Sequence, residues 1–155
     1  MESGVSIGAM AGDLARGALR VFGLLEEVFA TELYREQAKR VRDPKTVAVL
    51  RKIQADEATH ACEERARVEA PDGLRNVAET AARVCGALAG AIAGAAGDYV
   101  ALGLDFLLER AQAASYRASA RLLPRGASDE ERLVLERALE DEREHVGLVR
   151  DRLGV

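Results

Sequence analysis

Apolar side chains recur at three- and four-residue spacing along four long stretches of this chain, the spacing of one helical face. The first stretch predicts a helix from near Asp13 to about Val41, apolar on most sides through Leu19, Phe22, Leu25, Phe29 and Leu33. Asp43-Pro44 supplies an N-cap and a first-turn proline for a second helix, Pro44 to about Ala70. Its stripe runs Leu50, Ile53, Glu57, His60, so an acid and an imidazole stand where apolar residues belong. Pro71-Asp72-Gly73 reads as a turn. A further helix is predicted from near Asp98 to about Leu123, before Pro124 and Gly126. Ser128-Asp129-Glu130-Glu131 is a capping box that opens the last, to about Leu153. Its stripe is Leu135, Leu139, Glu142, His145 or Val146, Val149 and Leu153, again interrupted by Glu and His.

Between the second and third of these helices lies an Ala/Gly-rich stretch, Leu74 to Gly97, in which Gly86, Gly90 and Gly94 recur every four residues. Glycine on one face permits close backbone approach and weakens a helix, so a partly helical crossover is expected here. Four long helices with a long connection between the second and third match the ferritin-like, antiparallel four-helix topology. The chain reads as all-α and as one domain over 1–155, with residues 1–12 expected to be flexible.

Composition agrees. The 155 residues are 48% hydrophobic with 4% aromatics and no Trp, and strong helix formers dominate. The net charge of −4, without a basic block, argues against nucleic acid as a partner. Cys62 and Cys85 are isolated, which excludes a disulfide framework and fits a reducing cytoplasm. No secretory signal is expected at the N-terminus. The longest uncharged run, Val84 to Gly97, is by itself too short to span a bilayer. That run has three readings: a tightly packed crossover helix, which the pattern favours, a surface that docks on a membrane, or one that docks on a second copy. Homo-oligomerisation through the outer faces of the bundle is expected.

The two histidines carry the chemistry. Each stands three residues after a glutamate, in Glu57-Ala-Thr-His60 and Glu142-Arg-Glu-His145, so each pair shares a helical face. Coincidence would give both about one time in a hundred. The ordinary alternative is a solvated surface pair, but both pairs lie on core stripes, where a carboxylate must be paired or metal-bound. The repeat extends upstream: Glu27 is followed by Tyr34 seven residues on, and Glu109 by Tyr116 seven residues on. Two Glu-x-x-His pairs plus one glutamate from each of two other helices form the ligand set of a carboxylate-bridged di-metal site. The candidate ligands are Glu27, Glu57, His60, Glu109, Glu142 and His145. Tyr34 and Tyr116 are candidates to hydrogen-bond a metal-bound carboxylate, against ordinary packing with a wet hydroxyl. Glu26 and Glu32 compete with Glu27; hydrophobic direction favours Glu26 and the half-to-half symmetry favours Glu27, which is chosen. Asp105, one turn before Glu109, is expected to be an exposed acid rather than an acceptor for a histidine N–H. Mixed oxygen and nitrogen ligands suit iron, with manganese the alternative.

These residues resemble the ferritin-like di-iron carboxylate proteins, and most closely the demethoxyubiquinone hydroxylase family. The match is Glu27 with Tyr34 and Gln37, Glu57-x-x-His60, the segment Gly86 to Gly97, Glu109 with Tyr116, and Glu142-x-x-His145, over roughly residues 20 to 150. The resemblance implies that Glu27 and Glu109 are terminal ligands, that Glu57 and Glu142 bridge, and that His60 and His145 complete the site. It also implies two irons, dioxygen and a polyprenylated quinone-like substrate, met at a membrane surface. The chain departs from that pattern in having Gly23-Leu24-Leu25-Glu26 where the family has His-Ala-Gly before the first glutamate, and Ser115 where it has a histidine. Val146-Gly147 stands where further His and Asp follow the last ligand. These departures leave the metal set intact and bear on substrate and electron donor.

Three functions follow: an oxygen-activating oxidase or hydroxylase, a ferroxidase or other iron-handling protein, and a structural bundle that retains metal without turnover. The first needs an apolar channel, for which Val84 to Gly97 with Phe106 are the expected lining.

Overall fold

The structure is a computed structural model that describes residues 7–124 and 127–155. Five helices follow in order: α1 (Ile7–Gln37), α2 (Pro44–Arg67), α3 (Asp72–Ala96), α4 (Asp98–Arg121) and α5 (Asp129–Leu153). There is no strand among the described residues.

The predicted caps form. The Asp43 carboxylate accepts from the Thr46 N–H at 2.7 Å with Pro44 in the first turn, and Ser128 Oγ accepts from the Glu131 N–H at 3.1 Å. Arg152 of α5 also reaches Asp43, joining the end of α5 to the start of α2. Helix α1 starts at Ile7, earlier than Asp13, so residues 7–12 are helical; residues 1–6 lie outside the described residues. It ends at Gln37, before Val41, because the chain turns to offer the Arg42 and Asp43 N–H groups to the Asp98 carboxylate.

The stretch between α2 and α4 differs from expectation. Residues 72–96 form one continuous helix instead of a partly helical stretch. The reason is tertiary: α3 lies backbone-to-backbone on α1. A Cβ at Gly86 would stand 2.2 Å from the Phe29 carbonyl oxygen, and one at Gly90 would stand 2.3 Å from that of Leu33. Close packing over this length outweighs the low helix propensity of glycine. Ion pairs fasten the same helix, with Arg65 of α2 gripping Glu79 and Arg83 reaching Glu32 of α1 at 3.4 Å. By length and composition the whole of α3 could cross a membrane, which the run Val84 to Gly97 alone could not. Its outward face is apolar and exposed through Val77, Val84, Leu88 and Ile92.

Apolar clusters flank a polar middle. One gathers Leu33, Leu50, Ile53, Leu102 and Val149, from the end of α1, the starts of α2 and α4, and the end of α5. Two smaller ones, around Leu24, Val28 and Ala61 and around Leu135 and Ala138, come from the opposite stretches of the helices. Each fully buried Leu or Ile contributes roughly 1.5–3 kcal/mol. Helices α1 and α2 pack closely, as do α4 and α5, whereas α2 and α5 meet only over a short stretch.

Candidate metal centre

The amphipathic pattern that drives Leu50 and Ile53 inward carries Glu57 and His60 inward one and two turns later, and α5 does the same with Glu142 and His145. Glu27 enters from α1 and Glu109 from α4. Glu27, Glu57, Glu109, Glu142 and His145 are fully buried, and His60 is 4% exposed. The structure thus brings together all six candidates from the sequence. They form two overlapping groups whose nearest ligand atoms lie within 4.8 Å of one another: Glu27, Glu57, His60, Glu142, and Glu57, Glu109, Glu142, His145. Glu57 and Glu142 belong to both. The ring centroids of His60 and His145 stand 6.5 Å apart.

Both imidazoles turn Nδ1 inward. His145 Nδ1 lies 3.1 Å from Glu109 and 3.3 Å from Glu57; His60 Nδ1 lies 3.7 Å from Glu142 and 3.8 Å from Glu27. The outward Nε2 atoms rest on aspartates, His60 on Asp141 at 3.1 Å and His145 on Asp56 at 3.0 Å. Asp105 is not that acceptor, and it is not exposed. It is fully buried between α1 and α4, where Gln37 Nε2 donates to it at 2.8 Å, and burial raises its pKa well above the usual range.

The tyrosines cross over. The Tyr34 hydroxyl donates to Glu109 and the Tyr116 hydroxyl to Glu27, at 2.6 Å, so each serves the glutamate of the other half. Burial, then the neighbouring carboxylates, raises both phenol pKa values and keeps them donors. Gln112, which the sequence pattern did not single out, donates to Glu57 at 2.8 Å and to Glu27 at 3.3 Å. Asp56 and Asp141 were missed too, although a signal existed: an aspartate directly precedes each Glu-x-x-His pair.

Glu27, not Glu26 or Glu32, joins the cluster. Glu32 pairs with Arg35 and Arg83. Glu26 is half-buried; burial pushes its carboxyl up to about 7 against a hydrogen bond with Ser115. It faces a hollow lined by Leu19, Leu122, Leu123 and Leu135 together with Tyr116, Arg16 and Arg20. No residue of α3 lines this hollow, and neither does Phe106, so it is not the channel expected from Val84 to Gly97.

Four buried carboxylates against two imidazoles leave excess negative charge. Burial, then the charges of Glu57 and Glu109, drives Glu142 up to about 12. Burial likewise raises Glu27 and Glu109. Glu57 is the exception: burial acts to raise it, but the Glu27 and His145 side chains beside it and the imidazolium charge prevail and lower it. His145 is lifted to about 10, since Glu109 and Glu57 outweigh its desolvation. The cluster therefore retains protons wherever no cation balances it. His60 Nδ1, both oxygens of Glu142 and Glu57 Oε1 have no hydrogen-bond partner. Buried acceptors left open in this way, on hard oxygen and imidazole donors, fit two divalent cations.

A family model described as "Ubiquinone biosynthesis protein COQ7" matches residues 16–152. Neither a curated protein nor a solved structure matches the chain.

Proposed function

From the premise that the chain belongs to the COQ7 family of ubiquinone biosynthesis, we propose that it is a di-iron hydroxylase of an apolar, quinone-like substrate. The observation that carries this is the pair of overlapping buried groups sharing Glu57 and Glu142. In this reading α1, α2, α4 and α5 are the four bundle helices of a ferritin-like fold and α3 is the crossover. Glu27 and His60 would hold one metal, Glu109 and His145 the other, with Glu57 and Glu142 between them. Iron suits the donors, manganese being the alternative, and the pair would supply the electrons and the Lewis acidity for using dioxygen.

The side chains around the ligands have definite work. Asp56 and Asp141 stand where they can accept the Nε2 protons, which would leave the Nδ1 lone pair of each imidazole to a bound cation. Tyr34 and Tyr116 hold Glu109 and Glu27 from across the bundle, tying each half to the other. The hollow beside Glu26 and Tyr116 combines leucines with arginines, and Tyr116 joins it to Glu27 through its hydroxyl, which supports an approach from this side for an apolar molecule with a polar ring. The exposed apolar face of α3 supports docking on a membrane surface or a second copy.

The test is oxygen uptake by anaerobically reduced, iron-loaded protein given a quinol-like substrate. Hydroxylated product is expected. Oxygen uptake driven only by added ferrous ion, with no organic product, would replace this reading with iron oxidation.

A further inference from the structure

We propose that Gln112 makes the two halves of the centre unequal, so that the first divalent cation binds against Glu109 and His145 and the second, more weakly, against Glu27 and His60. This rests on the di-metal reading above. The halves otherwise repeat closely: each lone glutamate takes a tyrosine hydroxyl from across the bundle, and each histidine leans its Nε2 on an aspartate.

Asp105 with Gln37 has no counterpart in the other half, where Gly23 and Ser119 stand, and a second break in the repeat touches the candidate ligands directly. Three residues after Glu27 stands Ala30, whereas three residues after Glu109 stands Gln112, and both are fully buried. Ala30 adds a methyl group to the apolar cluster around Leu33. Gln112 instead sends its amide N–H groups to Glu57 Oε2 at 2.8 Å and Glu27 Oε2 at 3.3 Å, while its own Oε1 has no partner. Among the described residues, nothing equivalent donates to Glu109 beyond Tyr34 and the His145 ring nitrogen that would itself turn to a cation.

The consequence follows from donor strength. An oxygen that accepts an amide N–H has less charge to lend a cation, and pulling it away leaves a buried N–H unpaired. Glu57 shows the asymmetry within one carboxylate. Its Oε1, free of hydrogen bonds, lies 3.3 Å from His145 Nδ1, while its Oε2 is held by Gln112. Glu27 already accepts from Tyr116 on one oxygen and from Gln112 on the other. A cation beside His145 therefore meets the open Oε1 of Glu57, and one beside His60, though His60 Nδ1 itself is open, must compete with Gln112 for Oε2 of Glu57 and of Glu27. Gln112 acts through these carboxylates and is a positioning residue.

The test is anaerobic titration with Co(II), whose visible spectrum reports each binding step, on six proteins: wild type, His60→Ala, His145→Ala, Gln112→Met, and Gln112→Met combined with each histidine change. Methionine keeps the length of the side chain and removes the donor. With Gln112 in place, His145→Ala is expected to weaken the first step by at least about tenfold and His60→Ala to leave it nearly unchanged, as a lost metal contact requires. In the Gln112→Met background the two histidine changes become alike. Equal loss of the first step in both histidine variants overturns the proposal, and so does a difference that survives Gln112→Met. Should Gln112→Met not fold, the comparison of the two histidine variants decides alone. Failure of the di-metal reading is distinct: wild type would then bind fewer than two Co(II).

Discussion

Replacing Gly90 by alanine puts a methyl carbon 2.3 Å from the Leu33 carbonyl oxygen and 2.9 Å from the Leu33 Cα. Both atoms are backbone of α1 and cannot swing aside, so α3 must retreat by about 1 Å, enough to open the contact along its length. Overpacking of this kind costs about 1–3 kcal/mol. Alanine recovers roughly 1 kcal/mol of helix propensity. The net is a loss of up to about 2 kcal/mol, or a fall in Tm of up to roughly 8 °C for a chain of this size. Gly103 in α4 and Gly147 in α5 are the controls, because a Cβ there meets nothing within 4 Å. Their alanine variants should gain up to about 1 kcal/mol and rise by roughly 2–4 °C. The assay is thermal unfolding of metal-free protein followed by far-ultraviolet circular dichroism, so that cation binding does not mask the packing term. A Gly90→Ala protein at or above the wild-type Tm would refute the reasoning, since propensity alone would then describe α3.

The other predictions concern the centre. Asp56→Asn and Asp141→Asn each remove the carboxylate that accepts from a histidine Nε2; a drop of about 10–100-fold in cation affinity is expected in chelator competition, and unchanged affinity would count against the assigned tautomers. The stability of metal-free protein should fall as pH rises. Glu142 titrates near 4.5 when unfolded and about 12 when folded, and Glu27 and Glu109 are also raised. Their contribution is full below about pH 4.5 and declines above it, by at most about 1.4 kcal/mol per unit for each group. The lowered Glu57 works the other way only below its ordinary range. Unfolding scans between about pH 5 and 8 should show Tm decreasing without cation and levelling once a divalent cation is added; a metal-free Tm that rises over that window contradicts the protonated cluster.

Much of this fold was legible because its signals are local. Asp43 and Ser128 cap the helices they announce, and Glu57 and His60 sit inside because they continue the stripe of Leu50 and Ile53. Continuity of α3 was not legible, since glycine reads as a weak helix former until the backbone of α1 is seen against it. The polar residues around the centre were harder for a related reason. Asp105 and Gln112 lie on the buried stripe of α4 with Leu102, Glu109 and Tyr116, but their polarity argued for solvent, and only the facing helices show the partners that hold them. Spacing along one helix also cannot say which neighbour a side chain meets. Tyr34 lies two turns from Glu27 yet bonds Glu109, and Asp56 lies one turn from His60 yet bonds His145. The repeat in the sequence was real; its pairing across the bundle is a property of the fold.

Two cations shared by Glu57 and Glu142 are the centre of this account, and elemental analysis of fully loaded protein tests it most directly. Wild type should hold about two metals per chain, as six ligands in two overlapping sets require, and the Glu57→Ala, Glu142→Ala double variant should hold almost none while keeping its helical circular dichroism. Fewer than about one metal per wild-type chain, or a double variant that binds as much as wild type, would contradict it.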